Sequence, residues 1–226
     1  DYGVLPIENS STGSINQVYD LLSQYGAFIV GEQVIRVEHC LMAPPGASLE
    51  GIRLVCSHEQ GLYQCEEFLK AHPDWTRRAM PNTAAAAKWV AGRGDAGCAA
   101  IGSRHAAELY GLTVLAEGIN TNRENFTRFV IVSPLPELRE GRNKISAAFT
   151  LAHESGSLHR IMTVFAAGGL NLMKLESRPI PGRSWEYRFF ADFTGDLAAY
   201  GMDSILRELS QSAETLRILG NYKADE

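Results

Sequence analysis

Up to about Ser133, short runs of β-forming residues alternate with stretches of helical spacing, and polar turns join strand to helix. That alternation is what βαβ units produce. Tyr2–Ile7 reads as a buried strand, Asn9–Ser14 as a polar turn of N-cap residues, and Ile15, Val18, Leu21 and Leu22 follow at helical spacing. Ala27–Val30 and Val34–Met42 are strand-like, and Pro44-Pro45-Gly46 breaks the chain. The pattern then repeats: strand Ile52–Cys56, turn Ser57–Gln60, and a helix with Leu62, Cys65, Phe68 and Leu69 inward. Pro81-Asn82-Thr83 caps an alanine-rich helix over Ala84–Val90, stopped by Gly92 and Gly94. Ala96–Ile101 is a strand of small residues, a short helix runs to Tyr110 with Gly111 as its C-cap, and Phe129–Val132 is a closing strand.

Pro134–Lys144, with two prolines and mixed charge, reads as a linker between two regions, 1–133 and 145–226. Beyond it the order is β-α-β-β-α-β, the ferredoxin-like sequence of elements. Ile145–Leu151 is a strand, and Leu158, Ile161, Met162 and Phe165 mark a helix ended by Gly168-Gly169. Leu170–Ser177 and Glu186–Phe193 form a hairpin, Met202, Ile205, Leu206 and Leu209 line a second helix, and Thr215–Leu219 is the last strand.

A chain of 226 residues with 45% hydrophobic content holds one large core or two modest ones. The net charge is −5 and no Lys/Arg block stands out, which disfavours a nucleic-acid partner. Cys40, Cys56, Cys65 and Cys98 are scattered and read as buried reduced thiols rather than a disulfide framework or zinc knuckle. His39 and Cys40 are neighbours, and adjacent residues of a strand point to opposite faces, so no metal site is expected. No apolar run has the length of a membrane span and no signal peptide is visible, so the expected compartment is the cytoplasm. The chain opens on Asp1 rather than Met and runs straight into a strand, which implies a segment upstream.

Three polar turns share one geometry of strand, turn and helix: Glu8–Ser14, Ser57–Gln60 and Asn82–Thr83. Helix N-termini offer unsatisfied N–H groups and partial positive charge, and ligands of α/β sheets collect at the carboxyl ends of strands. For any one turn, simple capping is the better reading; three turns facing one cleft shift it toward a small anionic ligand. In Asn125-Phe126-Thr127-Arg128-Phe129 a neutral hydroxyl between two aromatics has the chemistry of a proton donor in a partly dry site. Pattern alone favours the plainer reading, with Phe126 and Phe129 in the core and Arg128 in a structural ion pair.

P-I-E-N-S-S-T-G-S at Pro6–Ser14, S-H-x-Q at Ser57–Gln60, T-A-A-A-A at Thr83–Ala87 and N-F-T-R-F at Asn125–Phe129 together resemble the prephenate dehydratase family. Asn171-Leu172 and Glu176-Ser177-Arg178-Pro179 resemble its regulatory ACT domain. The resemblance implies an α/β fold: two lobes around a cleft, like a periplasmic binding protein, then a ferredoxin-like ACT domain. It implies conversion of prephenate to phenylpyruvate with loss of carbon dioxide and water, without metal or organic cofactor, under feedback by phenylalanine. Thr127 would assist the departing ring hydroxyl. Asn9, Ser57 and Gln60 would orient the substrate, and Thr83 with the Ser10, Ser11 and Thr12 turn would hold a carboxylate. Glu8 would orient a neighbour or help position the hydroxyl. Arg128 would neutralise a carboxylate or make a structural ion pair, with Phe129 beside it. Phenylalanine would bind near Gly156, Leu158, Asn171, Leu172, Glu176, Ser177 and Arg178, between ACT domains paired in a homodimer or homotetramer.

The sequence departs from that family in three places. The family's opening strand and Gly-rich turn, roughly G-P-x-G-[ST]-[FY]-S, is not found, so the first lobe is expected to be incomplete and the dehydratase activity of the chain as given weak. S-H-P-Q reads Ser57-His58-Glu59-Gln60, which adds a negative charge, and G-A-L-V reads Gly156-Ser157-Leu158-His159, a more polar pocket. Two other functions stand beside the dehydratase. One is a catalytically weakened phenylalanine-binding regulator. The other is a hydrolase of a small ester or lactone using Ser57, His58 and Glu8 or Glu59, against which no nucleophile elbow is visible.

Overall fold

A computed structural model describes residues 1–225. In chain order its elements begin with β1 (Gly3–Asn9), β2 (Gly13–Ser14), α1 (Asn16–Tyr25), β3 (Phe28–Arg36) and β4 (Cys40–Ala43). There follow β5 (Leu54–Ser57), α2 (Glu59–Gln64), α3 (Glu66–Lys70), β6 (Thr76–Ala79), α4 (Thr83–Arg93), β7 (Cys98–Gly102), α5 (Arg104–Tyr110) and β8 (Thr113–Ala116). The last are β9 (Phe126–Ser133), β10 (Lys144–Thr150), α6 (Ser157–Ala167), β11 (Leu172–Pro179), β12 (Tyr187–Thr194), α7 (Met202–Ser212) and β13 (Thr215–Tyr222). Gly111 takes the left-handed C-cap of α5 expected of it, with φ 65°. The single helix expected over Leu62–Leu69 is broken at Cys65 into α2 and α3. Strands β6 and β8 were not legible: every residue of β6 is exposed, so it carries no apolar alternation to read.

Compactness divides the chain into two units, Arg36–Phe126 and the remainder, Asp1–Ile35 with the chain from Thr127 onward. These cuts fall elsewhere than the boundaries at 133/134 and 144/145 read from the sequence.

The Arg36–Phe126 unit is built on a five-stranded sheet of order β6-β5-β7-β4-β8. Strand β5 runs parallel to β6 and β7, and β4 pairs antiparallel with β7 and β8. Successive residues feed opposite cores, as strand alternation requires. Leu41, Val55, Ala99 and Ile101 pack with Leu69 and Trp75 on one face, and Met42, Cys56 and Ala100 with Ala86, Ala87 and Val90 of α4 on the other. Both faces are covered, which is why these strands read as near-continuous apolar runs. All four cysteines are free and buried, and burial pushes the Cys65 thiol up to about 12.

The other unit stacks two sheets. One has order β2-β1-β9-β3, with β1 antiparallel to both β2 and β9. The other, β11-β12-β10-β13, is antiparallel throughout and has the β-α-β-β-α-β element order. Ile145, Ala147 and Phe149 of β10 point to α6 and α7, where Ile161, Phe165 and Leu209 wait. Ala148 points the other way, into a core shared with Ile7, Tyr19, Leu22 and Val130 of the first sheet and its helix. The two sheets approach closely at Gly220, where a Cβ would lie 1.9 Å from the Ile29 carbonyl oxygen. Gly220→Ala must therefore move backbone and should cost about 1–3 kcal/mol or more. Gly92→Ala, in an exposed stretch of α4 with nothing within 4 Å, should gain roughly 0.5–1 kcal/mol. Urea unfolding midpoints of the two variants are expected to move in opposite directions.

Candidate functional site

The polar turn after β1 is not a helix N-terminus. Strand β2 folds back on β1, pairing Ser14 with Glu8 and Gly13 with Asn9, so Ser10, Ser11 and Thr12 form an exposed hairpin tip. Helix α1 starts later, behind Ile15, which has no side-chain oxygen and makes no side-chain capping bond. The carboxylate site expected of a helix dipole at this turn is thus corrected: the local chemistry is that of an Asx turn. Asn9 Oδ1 accepts from the Ser11 N–H (2.9 Å), the Thr12 N–H (3.1 Å) and the Thr12 hydroxyl (3.3 Å). Those donors fix the amide orientation, so its Nδ2 donates to Thr127 Oγ1 at 3.0 Å. A threonine oxygen that accepts a fixed hydrogen bond has its own proton left to give.

One irregularity produces this pairing. Pro6 lies opposite Phe129 and Glu8 opposite Arg128, so Ile7 is an extra residue in β1, a bulge. In a regular strand Glu8 would face away from the core that holds Leu5 and Ile7, and Asn9 toward it. The bulge reverses this, as such features do beside functional sites. Asn9 lands against Thr127 on one face, and Glu8 joins Arg128 on the other.

Arg128 therefore sits among carboxylates. Its NH1 is 2.7 Å from Asp192 Oδ2 and 3.1 Å from Glu32 Oε2, and its NH2 is 3.1 Å from Glu8 Oε2. Lys144 Nζ holds Glu32 at 2.8 Å, and Lys174 Nζ holds Glu8 Oε1 at 3.0 Å. Ser146 donates to Asp192 at 2.5 Å and meets the buried Tyr222 hydroxyl at 2.8 Å. Of the two roles left open for Arg128, the geometry is that of the ion pair: strand alternation puts its guanidinium on the face opposite Thr127 and Phe129. Glu8 shares that face, so it cannot touch a group held by Thr127 on the other. Burial alone would raise the Glu8 carboxyl, but the Lys174 and Arg128 charges outweigh it and hold the group below its usual range.

In the Arg36–Phe126 unit, Ser57 ends β5 fully buried, its hydroxyl donating to the Ile101 carbonyl at 2.8 Å. His58 caps α2 by accepting the Gln60 N–H on Nδ1 at 3.2 Å, and Gln60 is exposed in the first turn. Thr83 opens α4, while the cap itself is Asn82, whose Oδ1 accepts the Ala85 N–H at 2.7 Å. Two of the expected turns do converge here, and glycine makes the room. A Cβ on Gly61 would lie 2.5 Å from Ser57 Oγ and 3.5 Å from Thr83 Cγ2, and one on Gly102 would lie 3.6 Å from Thr83 Cβ. The Ser57–His58 arrangement of a hydrolase does not form, because the two side chains serve Ile101 and Gln60.

The residues expected around an effector split between the two faces of the C-terminal sheet. Gly156 is the N-cap of α6 with φ 84°, Leu158 follows exposed, and Ser177 lies opposite Phe189 on the helix-covered face. The Asn171 N–H donates to the Thr194 hydroxyl and its carbonyl accepts the Thr194 N–H, and Leu172 is half-buried at the start of β11. Glu176 and Arg178 face the first sheet, Glu176 accepting the Ser14 hydroxyl at 2.6 Å and Arg178 pairing with Asp20 at 2.8 Å. Lys174, Glu32, Lys144 and Asp192 were missed. Lys174-x-Glu176-x-Arg178 is a period-2 row of charges in a strand, a legible sign of one polar face; the other three carried no such signal.

Residues 1–136 match the family model described as prephenate dehydratase. A bifunctional chorismate mutase/prephenate dehydratase of Enterobacter agglomerans is 37% identical, the alignment covering all of this chain and 59% of the relative. Arogenate dehydratase 3 of Arabidopsis thaliana is 38% identical, covering all of this chain and 57% of the relative. Among solved structures, a prephenate dehydratase of Arthrobacter aurescens in complex with L-Phe superposes with TM-score 0.87 at 31% identity, over 99% of this chain and 75% of that one. A protein described as GqqA, a novel type of quorum quenching acylases, gives TM-score 0.88 at 31% identity, over all of this chain and 82% of that one. With the mixed α/β fold, these matches give the class: an α/β protein of the kind seen in solved prephenate dehydratases. The chain belongs to the prephenate dehydratase family. It spans 59% of the length of the Enterobacter relative.

Removing Arg128 strands buried carboxylates, Glu32 being 1% exposed and Asp192 13%. Arg128→Met should cost about 3–5 kcal/mol in unfolding free energy. Arg128→Lys should recover little of it, since one ammonium cannot span the positions of NH1 and NH2. The lowered Glu8 carboxyl contributes stability above its unfolded-state value, lost as pH falls through the folded one. Urea midpoints followed toward acid pH should therefore fall less steeply in Glu8→Gln than in the parent.

Proposed function

We propose that this chain is the dehydratase and regulatory part of a prephenate dehydratase, converting prephenate to phenylpyruvate with loss of carbon dioxide and water. The observation that carries the reading is the Asn9–Thr127 hydrogen bond, in a family whose motifs surround both residues. As the carbon–carbon bond to the ring carboxylate breaks, its electron pair enters the ring and expels the ring hydroxyl. Thr127 gives that leaving group its proton, so water departs, and solvent returns the proton to the threonine. Asn9 holds the threonine oxygen still and eases the negative charge that develops on it. Aromatisation supplies the driving force, so placement of the two carboxylates is the protein's main remaining task. In the Arg36–Phe126 unit, Gln60 and Thr83 carry donors suited to it, and Ser57, its own proton given to Ile101, braces the strand end beside them.

The functional regions in this reading are the catalytic region 1–133, within a two-lobed fold like that of periplasmic binding proteins, the linker 134–144 and an ACT domain at 145–226. The L-Phe complex of the Arthrobacter relative supports phenylalanine as effector, met by Gly156, Leu158, Asn171, Leu172 and Ser177. The unpaired edge of β11, with Met173 and Leu175 exposed, suits side-by-side pairing of two ACT domains in a homodimer or homotetramer. The cytoplasm is the proposed compartment.

Thr127→Val keeps the shape and removes the donor. It should lower turnover about 10²–10⁴-fold while leaving the unfolding midpoint nearly unchanged. Formation of phenylpyruvate at a near-normal rate would remove Thr127 from the mechanism. Arogenate belongs in the same assay, since a relative named for it is as similar as one named for prephenate. The acylase name of the GqqA structure supports a second reading as an amide or ester hydrolase. Acyl-chain release that survives Thr127→Val, without dehydration of either substrate, would favour that reading; Ser57 and His58, engaged elsewhere, are not its expected catalysts.

A further inference from the structure

We infer that Lys174 is a positioning residue for the dehydratase site, a step that rests on the function proposed above: from the outer strand of the C-terminal sheet it holds the β1–β2 hairpin in the shape that keeps Asn9 on Thr127. Its ammonium bridges the hairpin, 3.0 Å from Glu8 Oε1 on β1 and 2.9 Å from Ser14 Oγ on β2. Glu8 and Ser14 are register partners, and the only other paired rung of this two-residue strand is Asn9 with Gly13. The same two rungs continue across β1 into β9, where Glu8 lies beside Arg128 and Asn9 beside Thr127. Lys174 thus clamps the rung next to the one that carries the proton donor. Glu176, two residues along β11 and on the same face, accepts the Ser14 hydroxyl at 2.6 Å and completes the grip.

A hairpin of two rungs on the outside of a sheet has little stability of its own, so its geometry follows whatever holds it. Lys174 is well suited to hold it. Its side chain is 12% exposed, and its ammonium lies 5.4 Å from the Tyr19 ring centre, an aromatic face that attracts cations. The charged and titratable groups around Glu8 are Lys174 and Glu176 from β11, Arg128 from β9 and Tyr19 from α1. Glu32 of β3 and Asp192 of β12 stand behind Arg128.

The test compares Lys174→Met and Lys174→Arg in the full chain, with dehydratase kinetics and NMR of labelled side chains. In Lys174→Met kcat should fall on the order of 10-fold or more, as small misplacements in an active site do, with KM little changed. Lys174→Arg, which restores a cation of similar reach, should recover most of the loss. The Glu8 carboxyl, assigned through Glu8→Gln, should titrate at higher pH in Lys174→Met, because one of its two attracting charges is gone. The Asn9 side-chain amide resonances should move toward those of a solvent-exposed amide. That last readout needs no turnover. If the parent chain dehydrates neither prephenate nor arogenate, the proposed function falls, while the amide shift still decides whether Lys174 positions Asn9. Unchanged Asn9 resonances in Lys174→Met would overturn the inference, as would a loss of kcat that Lys174→Arg does not repair. Should Lys174→Met not fold, Lys174→Gln removes the charge, keeps a donor for Ser14, and is judged by the same measurements.

Discussion

Arg128 carries a guanidinium into the layer between two sheets, where Asp192, Glu32 and Glu8 each present a carboxylate to it. None of these charges is affordable alone in such a place, since an unpaired buried ion costs several kcal/mol. Held together they fix the distance and register of β1, β3, β9 and β12 more tightly than apolar contacts could, because ion pairs and hydrogen bonds are directional. Lys144 and Lys174 balance the remaining carboxylate charge from β10 and β11, so six strands of the two stacked sheets answer to one cluster. Tyr222 closes it from β13: buried and bonded to Ser146, its hydroxyl is held well above its usual range, by burial first and then by Asp192 and Glu32.

The site borrows its precision from that cluster without sharing its charge. Strand alternation sends Arg128 inward and Thr127 to the opposite face, and the bulge at Ile7 makes β1 follow suit with Glu8 and Asn9. A neutral threonine and a neutral amide remain on the other face, which suits the proposed reaction, in which a dianionic substrate sheds carbon dioxide and hydroxide. A carboxylate on that face would repel the substrate. Under the proposed function the motif Thr127-Arg128 is two devices in adjacent residues, one for chemistry and one for architecture.

In the Arg36–Phe126 unit the decisive feature is space. Gly61 and Gly102 leave Ser57 and Thr83 room at the carboxyl ends of β5 and β7, and any side chain at Gly61 would strike the Ser57 hydroxyl. Ser57 spends its proton on the Ile101 carbonyl and so braces the end of the sheet, which explains a fully buried serine at a strand terminus.

Much of this was legible in the chain itself. Apolar runs and their period marked β5, β7, α4, α6, α7 and the C-terminal hairpin because those segments bury one face or two, and burial writes itself into sequence. The motifs drew attention to Asn9 and Thr127, which the structure joins by a hydrogen bond, and to Ser57 and Thr83, which it brings together within the Arg36–Phe126 unit. Tertiary structure decided the rest. Strand β6 is exposed and polar and exists only because β5 offers it a parallel edge. The turn after Asn9 looked like a helix cap because Asn, Ser and Thr serve hairpin tips and helix ends alike; pairing of β2 with β1 chose between them. Which face Arg128 and Glu8 occupy hangs on a single bulged residue, and a one-residue slip reverses every side chain in a strand. No local signal encodes that choice. It is set by Asp192, Glu32 and Lys174, residues 64 to 166 positions away in sequence from the groups they hold, whose charges have nowhere else to go once the two sheets close.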